Sequence, residues 1–258
     1  MKLSLPFLST VFLTILNATA AENPDQKQAE FFTPEQDRKT LREKVEIEEA
    51  LPNILILGDS ISIGYTKLVR EGLAGKANVV RPKANCGDTP RGLASIDKWL
   101  GDNNWDVIHF NWGLWDLCYR HPDSKAQGKR DKVNGSIAVP LPEYEANLEK
   151  LVARLKQTGA NLIWASTTVV PKGEVGRVPG DEIKYNTAAA KIMAKHGVTI
   201  NDLHALSSKL EPEFFVGPGD VHFTKEGSTE LAKQVVAAVS KSLEKDQEKQ
   251  AGSHQQKK

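Results

Sequence analysis

The sequence predicts an α/β fold: a parallel sheet of about five strands with helices on both faces. Three observations predict it. Short apolar runs alternate with amphipathic stretches along the chain. The runs are apolar almost throughout rather than at every second residue, which suits strands buried on both sides. The 258 residues can hold one such domain of about 200 residues plus tails.

Taken in order, Glu22 to about Asn53 is polar and highly charged. Thr33-Pro34-Glu35-Gln36 reads as a helix start, with Thr33 as cap and Pro34 at the first position, so a solvated leader helix is expected over Pro34–Ala50. The expected strands are Asn53–Leu57, Asn78–Arg81, Val107–Asn111, Asn161–Thr167 and Thr199–Asn201. The expected helices are Ile61–Leu73, Gly92–Leu100, Pro142–Thr158, Asp181–His196 and Lys225–Leu243. Leu148, Leu151, Val152 and Leu155 lie on one helical face, and Gly159 follows as a stop. Leu231, Val235, Val236 and Val239 repeat the pattern in the last helix. Residues 53–243 thus form the domain. The Lys-, Gln- and Glu-rich tail over 244–258 is expected to be disordered. The segment Cys118–Leu141 interrupts the rhythm as a long polar insertion after a strand, either a binding element or a solvated loop.

The first twenty residues read as a signal peptide: Lys2 is the positive start, Leu3–Leu16 the apolar core and Ala18-Thr19-Ala20 the cleavage site. Export to the periplasm or medium is expected, without stable membrane insertion after cleavage. The net charge is +1, and the chain after the signal is neutral because Lys2 is the only charge there. That balance gives no electrostatic reason to expect nucleic acid as a partner. Neither Cys86 nor Cys118 belongs to a CxxC pair, so no metal site is expected. In an exported protein the two are candidates for one disulfide.

In an open parallel sheet, ligands bind at the carboxyl ends of the strands. Gly58-Asp59-Ser60, Asn85-Cys86-Gly87-Asp88-Thr89, Asn111-Trp112-Gly113-Leu114-Trp115-Asp116 and Asp220-Val221-His222 all fall there. Ser60 has two readings: a helix cap, or a nucleophile whose oxyanion the helix N-terminus stabilises. His222, in a loop with an acid two residues away, suits a general base oriented by a carboxylate. Asp59 reads as a local cap. Trp112 and Trp115 offer either sugar-stacking faces or core packing.

These blocks carry a resemblance. "GDSIS" after an apolar strand, "GDT" with "RGL" downstream and "DVHFTKEG" before a final helix resemble the GDSL, or SGNH, hydrolase superfamily over roughly Asn53–Leu243. The resemblance implies a flavodoxin-like three-layer α/β/α domain and a Ser–His–Asp ester hydrolase. It implies Ser60 as nucleophile, His222 as general base, and the backbone N–H of Gly87, with that of Ser60, in the oxyanion hole.

Two blocks depart from the pattern. The family's G-x-N-D reads Gly113-Leu114-Trp115-Asp116 here, so Trp115, Asn111 or Asn85 is left to supply the third oxyanion donor, and a gap there would mean a weak enzyme. The family's D-x-x-H places Gly219 where its acid stands, so Asp220, one residue closer, is the candidate acid. The expected activity is therefore an exported serine esterase that needs no cofactor and acts on a small-molecule or carbohydrate ester. A carbohydrate deacetylase suits the polar insertion better than a lipase. A carbohydrate-binding or weakly catalytic protein of the same fold, or an acyltransferase, is the alternative.

Overall fold

The computed structural model describes residues 35–255. The expected signal segment and the expected helix start at Thr33-Pro34 lie outside the described residues.

The strand NILIL forms β1 (Asn53–Leu57), whose aliphatic side chains are buried from Ile54 onward. The other long-sheet strands are β2 (Asn78–Val80), β3 (Val107–Phe110), β6 (Asn161–Ala165) and β7 (Thr199–Asn201). Their order is β2-β1-β3-β6-β7, and every neighbouring pair is parallel. Numbered among themselves along the chain, these five strands run 2-1-3-4-5, the flavodoxin-like order. The sheet therefore reverses direction of growth between β1 and β3. Leu57 pairs with Phe110 there, which sets the turns that follow the two strands side by side.

Helices cover both faces. α1 (Glu35–Arg42), α2 (Ser60–Gly72) and α7 (Lys225–Gln255) pack on one side; α3 (Thr89–Leu100), α4 (Leu141–Lys156) and α5 (Asp181–His196) pack on the other. The periodic stripes face inward as expected: Leu148, Leu151, Val152 and Leu155 of α4 are fully buried, as are Leu231, Val235 and Val239 of α7. α2 and α7 cross closely at Gly72, where a Cβ would stand 2.8 Å from a Val236 methyl. A short helix, α6 (Leu203–Ser207), follows β7.

Several boundaries differ from expectation. α1 stops at Arg42 rather than Ala50. The chain beyond it is gathered by the Asn78 side chain, whose Oδ1 accepts from the Glu48 N–H at 3.0 Å and whose Nδ2 donates to the Glu48 carbonyl at 2.9 Å and the Leu51 carbonyl at 3.2 Å. These bonds favour a turn into β1 over further helix. At the other end, α7 continues to Gln255 instead of giving way to a disordered tail. Lys, Glu and Gln are good helix formers and no Gly or Pro interrupts the run until Gly252, so a helix already nucleated on the domain propagates.

The insertion is neither a free loop nor a lid standing off the surface. It forms a small antiparallel ribbon from β4 (Tyr119–Arg120) and β5 (Ser136–Ile137). The ribbon is docked on the loop after β6: the Tyr119 N–H donates to the Gly176 carbonyl at 2.6 Å and the Lys132 N–H to the Val175 carbonyl at 3.0 Å. Beneath it, the fully buried Glu174 accepts from Arg130 at 2.7 Å and Arg177 at 3.0 Å. Burial of that carboxylate is tolerable because two cations and the Gly176 N–H, at 2.6 Å, saturate it.

Cys86 and Cys118 are both buried and both free, so the expected disulfide is not formed. Cys86 lies in the main core, with its carbonyl accepting the Trp112 indole N–H at 3.3 Å. Cys118 turns toward the loop after β6, where a Cβ on Gly176 would stand 3.1 Å from its sulfur. The two thiols serve different packing surfaces. Burial pushes the Cys86 thiol up to about 11, which keeps it protonated and unreactive at neutral pH.

Candidate active site

The turn after β1 supplies the serine. Asp59, not Ser60, is the N-cap of α2: its Oδ1 accepts the Ile61 N–H at 3.0 Å. Ser60 is thereby the first helical residue, and its hydroxyl is spared the capping bond. Its N–H belongs to the helix end, where backbone donors have no intrahelical acceptor.

Ser60 Oγ lies 2.9 Å from His222 Nε2. His222 Nδ1 lies 2.6 Å from Asp220 Oδ1, and the His222 backbone N–H donates to that same oxygen at 2.9 Å. The closer acid therefore reaches the ring nitrogen that faces away from Ser60. One carboxylate oxygen fixes both the backbone and the ring of the histidine, which the two-residue spacing makes possible. Burial raises the Asp220 carboxyl. The His222 ring and backbone bonds, with the charges of His222 and Arg130, outweigh it and hold the group below the ordinary carboxylate value. Gly219 permits the close approach behind this loop: its φ is +73° and a Cβ would stand 2.7 Å from the Gly173 carbonyl carbon.

The expected oxyanion donors are placed as follows. Gly87 sits in the loop beside the Ser60 turn, which the Cys86 N–H joins by donating to the Gly58 carbonyl at 3.1 Å. The Gly87 N–H itself is already donated to Asn85 Oδ1 at 2.9 Å. Among the described residues Asn85 Nδ2 is a buried donor with no acceptor, a costly state unless something at the site takes the bond. Asn111 is not a third donor. Its amide faces β6, donating to the Ala165 carbonyl at 2.7 Å and Thr167 Oγ1 at 3.3 Å. Trp115 lies on the Gly87 side, 3.7 Å from where a Gly87 Cβ would be, with the Arg120 guanidinium 4.8 Å above its ring. Trp112 is fully buried core and presents no face to a ligand.

Two buried ionisable groups support the site: Arg81, which no sequence motif announced, and Asp116, the acid of the third block. Arg81 follows β2 and is buried. Its guanidinium donates to the Gly58 and Ala84 carbonyls, both at 3.3 Å, and to Ser62 Oγ at 3.1 Å. It thus ties the serine turn to the Asn85 loop. Arg81→Met removes these donors from buried acceptors, at about 1–3 kcal/mol for an unpaired group. Urea denaturation is expected to show a stability loss of at least that size, and esterase activity is expected to fall with it.

The second is Asp116. Its Oδ1 accepts the Thr89 N–H at 2.8 Å and the Thr89 hydroxyl at 2.6 Å, while Oδ2 is buried without a partner among the described residues. Burial pushes this carboxyl up to about 8, against the Thr89 bonds that lower it. The native state then holds a proton that the unfolded chain releases near pH 4. The stability that Asp116 contributes is full below the unfolded value and is lost as pH rises toward 8. Asp116→Asn keeps a neutral side chain of the same shape. Denaturation midpoints at pH 5 and pH 8 should differ less in this variant than in the wild type.

A cleft of about 440 Å³ opens at Ser60 and His222. Its walls are the outer face of α2, the start of α7 and Thr40 of α1.

Ser60, His222 and Asp220 thus stand in one hydrogen-bonded line at the start of α2, the arrangement from which serine hydrolases are recognised by geometry. The profile of the GDSL-like Lipase/Acylhydrolase family matches residues 56–229. The chain belongs to this family, whose class of chemistry is ester hydrolysis. Among solved structures, an acetyl xylan esterase, AlAXEase, is similar at 15% identity and a TM-score of 0.59, over 72% of this chain and 99% of that one. A lipase/acylhydrolase from Enterococcus faecalis aligns at 18% identity and 0.59, covering 73% and 95%. An acetylxylan esterase from Geobacillus stearothermophilus aligns at 17% and 0.57, covering 72% and 93%. At these identities the likeness is one of fold. No curated protein matches the chain.

Proposed function

We propose that the protein is an exported serine esterase that removes small acyl groups, acetyl foremost, from a carbohydrate. The contact of Ser60 Oγ with His222 Nε2 at 2.9 Å carries this reading. His222 takes the Ser60 proton as Oγ attacks the ester carbonyl. Asp220 holds the ring and stabilises the imidazolium that results. The oxyanion rests on the Ser60 N–H and on Asn85 Nδ2, the buried donor left without an acceptor. His222 then gives its proton to the departing alcohol oxygen, and the acyl group stays on Ser60. Water, deprotonated by His222, attacks the acyl-enzyme and restores the serine. None of these steps requires a metal or an organic cofactor.

The acyl preference rests on the folds aligned above, two of which are named acetyl xylan esterases. Export rests on the Lys2, Leu3–Leu16 and Ala18-Thr19-Ala20 pattern. Purified protein is expected to release acetate from acetylated xylooligosaccharides and nitrophenol from 4-nitrophenyl acetate. The commitment of the Gly87 N–H to Asn85 favours a second reading, a weakly catalytic sugar-binding protein. Binding of xylooligosaccharides without turnover of either ester would select it.

A further inference from the structure

The cleft at Ser60 is bounded by the His222 ring and by the chain that follows it, Phe223–Lys225. Asn85, Gly87 and Trp115 are not among its walls. The two sides of the serine therefore differ. The oxyanion belongs on the side of the Ser60 N–H and the Asn85 loop. The leaving oxygen must come to His222 Nε2, because that nitrogen supplies its proton. An alcohol departing from the ester thus lies in the cleft beside the ring. The cleft's surface is mixed: Ile61, Leu68 and Phe223 offer apolar faces, and Lys67, Glu71 and Ser228 offer polar groups. That mixture fits a ring that carries hydroxyls better than an alkyl chain.

One wall is not part of the family's matched segment. Thr40 is on α1, which precedes residues 56–229. α1 is held against α2 by Leu41, buried on Ile63 apart from the main core, and by an ion pair between Glu43, one residue beyond it, and Arg70. We propose that α1 completes a subsite for a bulky hydroxylated leaving alcohol and so sets the enzyme's selectivity for that part of its substrate. This rests on the esterase reading of Ser60 and His222.

The test compares esters that share the acetyl group: ethyl acetate and peracetylated xylobiose. Acetate release gives the ratio of their kcat/KM values, in which effects on the chemical step common to both cancel. Two variants act on the cleft from different elements. Leu41→Asp undocks α1, and Lys67→Trp fills the cleft from the exposed face of α2. Both are expected to lower the preference for the xylobiose ester at least about tenfold, with far-UV circular dichroism unchanged in Lys67→Trp and reduced in Leu41→Asp by no more than the eight residues of α1. Ratios equal to wild type in either variant overturn the proposal. So does a larger loss on 4-nitrophenyl octanoate than on 4-nitrophenyl acetate in Lys67→Trp, which would make the cleft an acyl pocket. In either case Ser60→Ala tells whether the esterase reading itself survives: abolished hydrolysis in that variant leaves the reading standing, and retained hydrolysis removes it.

Discussion

Ser60→Ala is expected to lower kcat/KM for 4-nitrophenyl acetate by about 10⁴-fold or more, with little change in stability. The size follows from what the substitution removes. In the proposed mechanism the Ser60 oxygen, 2.9 Å from His222 Nε2, is the atom that carries the acyl group, and the neighbouring side-chain oxygens of the turn are engaged elsewhere. Asp59 is occupied as the helix cap, and Ser62 donates to the Asp59 carbonyl at 2.7 Å. Fold survives because the cap, the Arg81 clamp and the α2 core face do not involve Ser60 Oγ. Rates are compared at saturating and at limiting substrate. Residual activity within tenfold of wild type would remove Ser60 from the mechanism.

Asp220→Asn should cost nearly as much, about 10³–10⁴-fold in kcat, with a smaller change in KM. Asn keeps the shape and can still accept from the His222 backbone. A neutral amide does not stabilise the imidazolium, and its NH₂ can bind the wrong ring tautomer. The pH profile separates this from a packing effect. Bonds from His222 hold the Asp220 carboxyl below the ordinary range. Its contribution is then full at neutral pH and is lost only as pH falls through that depressed value. Wild type should keep Asp220 ionised throughout the neutral range. Asp220→Asn should lower the plateau rather than shift the acid limb caused by a carboxylate.

The main lines of this site were legible in the sequence because they are local. A strand, a tight Gly58-Asp59-Ser60 turn and a helix are written within a few residues, and Asp220 and His222 are two apart. Parallel topology then brings strand ends to one rim. What was not legible depends on long-range packing. Asn111 is amide-bearing and stands at the right strand end, yet Ala165 on β6 claims its donor. Cys86 and Cys118 follow β2 and β3, the two strands that flank β1, but one side chain enters the core and the other faces Gly176. The charge-rich insertion stayed open between a binding element and a solvated loop because Arg130 and Lys132 gave no hint of Glu174 and Arg177, more than forty residues on. Arg81 carried a weak signal, a charge at the end of an apolar strand. The ends of α1 and α7 were misjudged for opposite reasons: Asn78 stops one from afar, and the other runs on by local propensity.

The central claim is that Ser60 is the nucleophile. A fluorophosphonate reacts with an activated serine and leaves a stable adduct on its Oγ, so peptide mapping by mass spectrometry reads the attacking residue directly. The adduct is expected on the peptide that contains Gly58-Asp59-Ser60, and it should disappear in His222→Ala. An adduct on another serine, or none at full enzymatic turnover, would contradict the account.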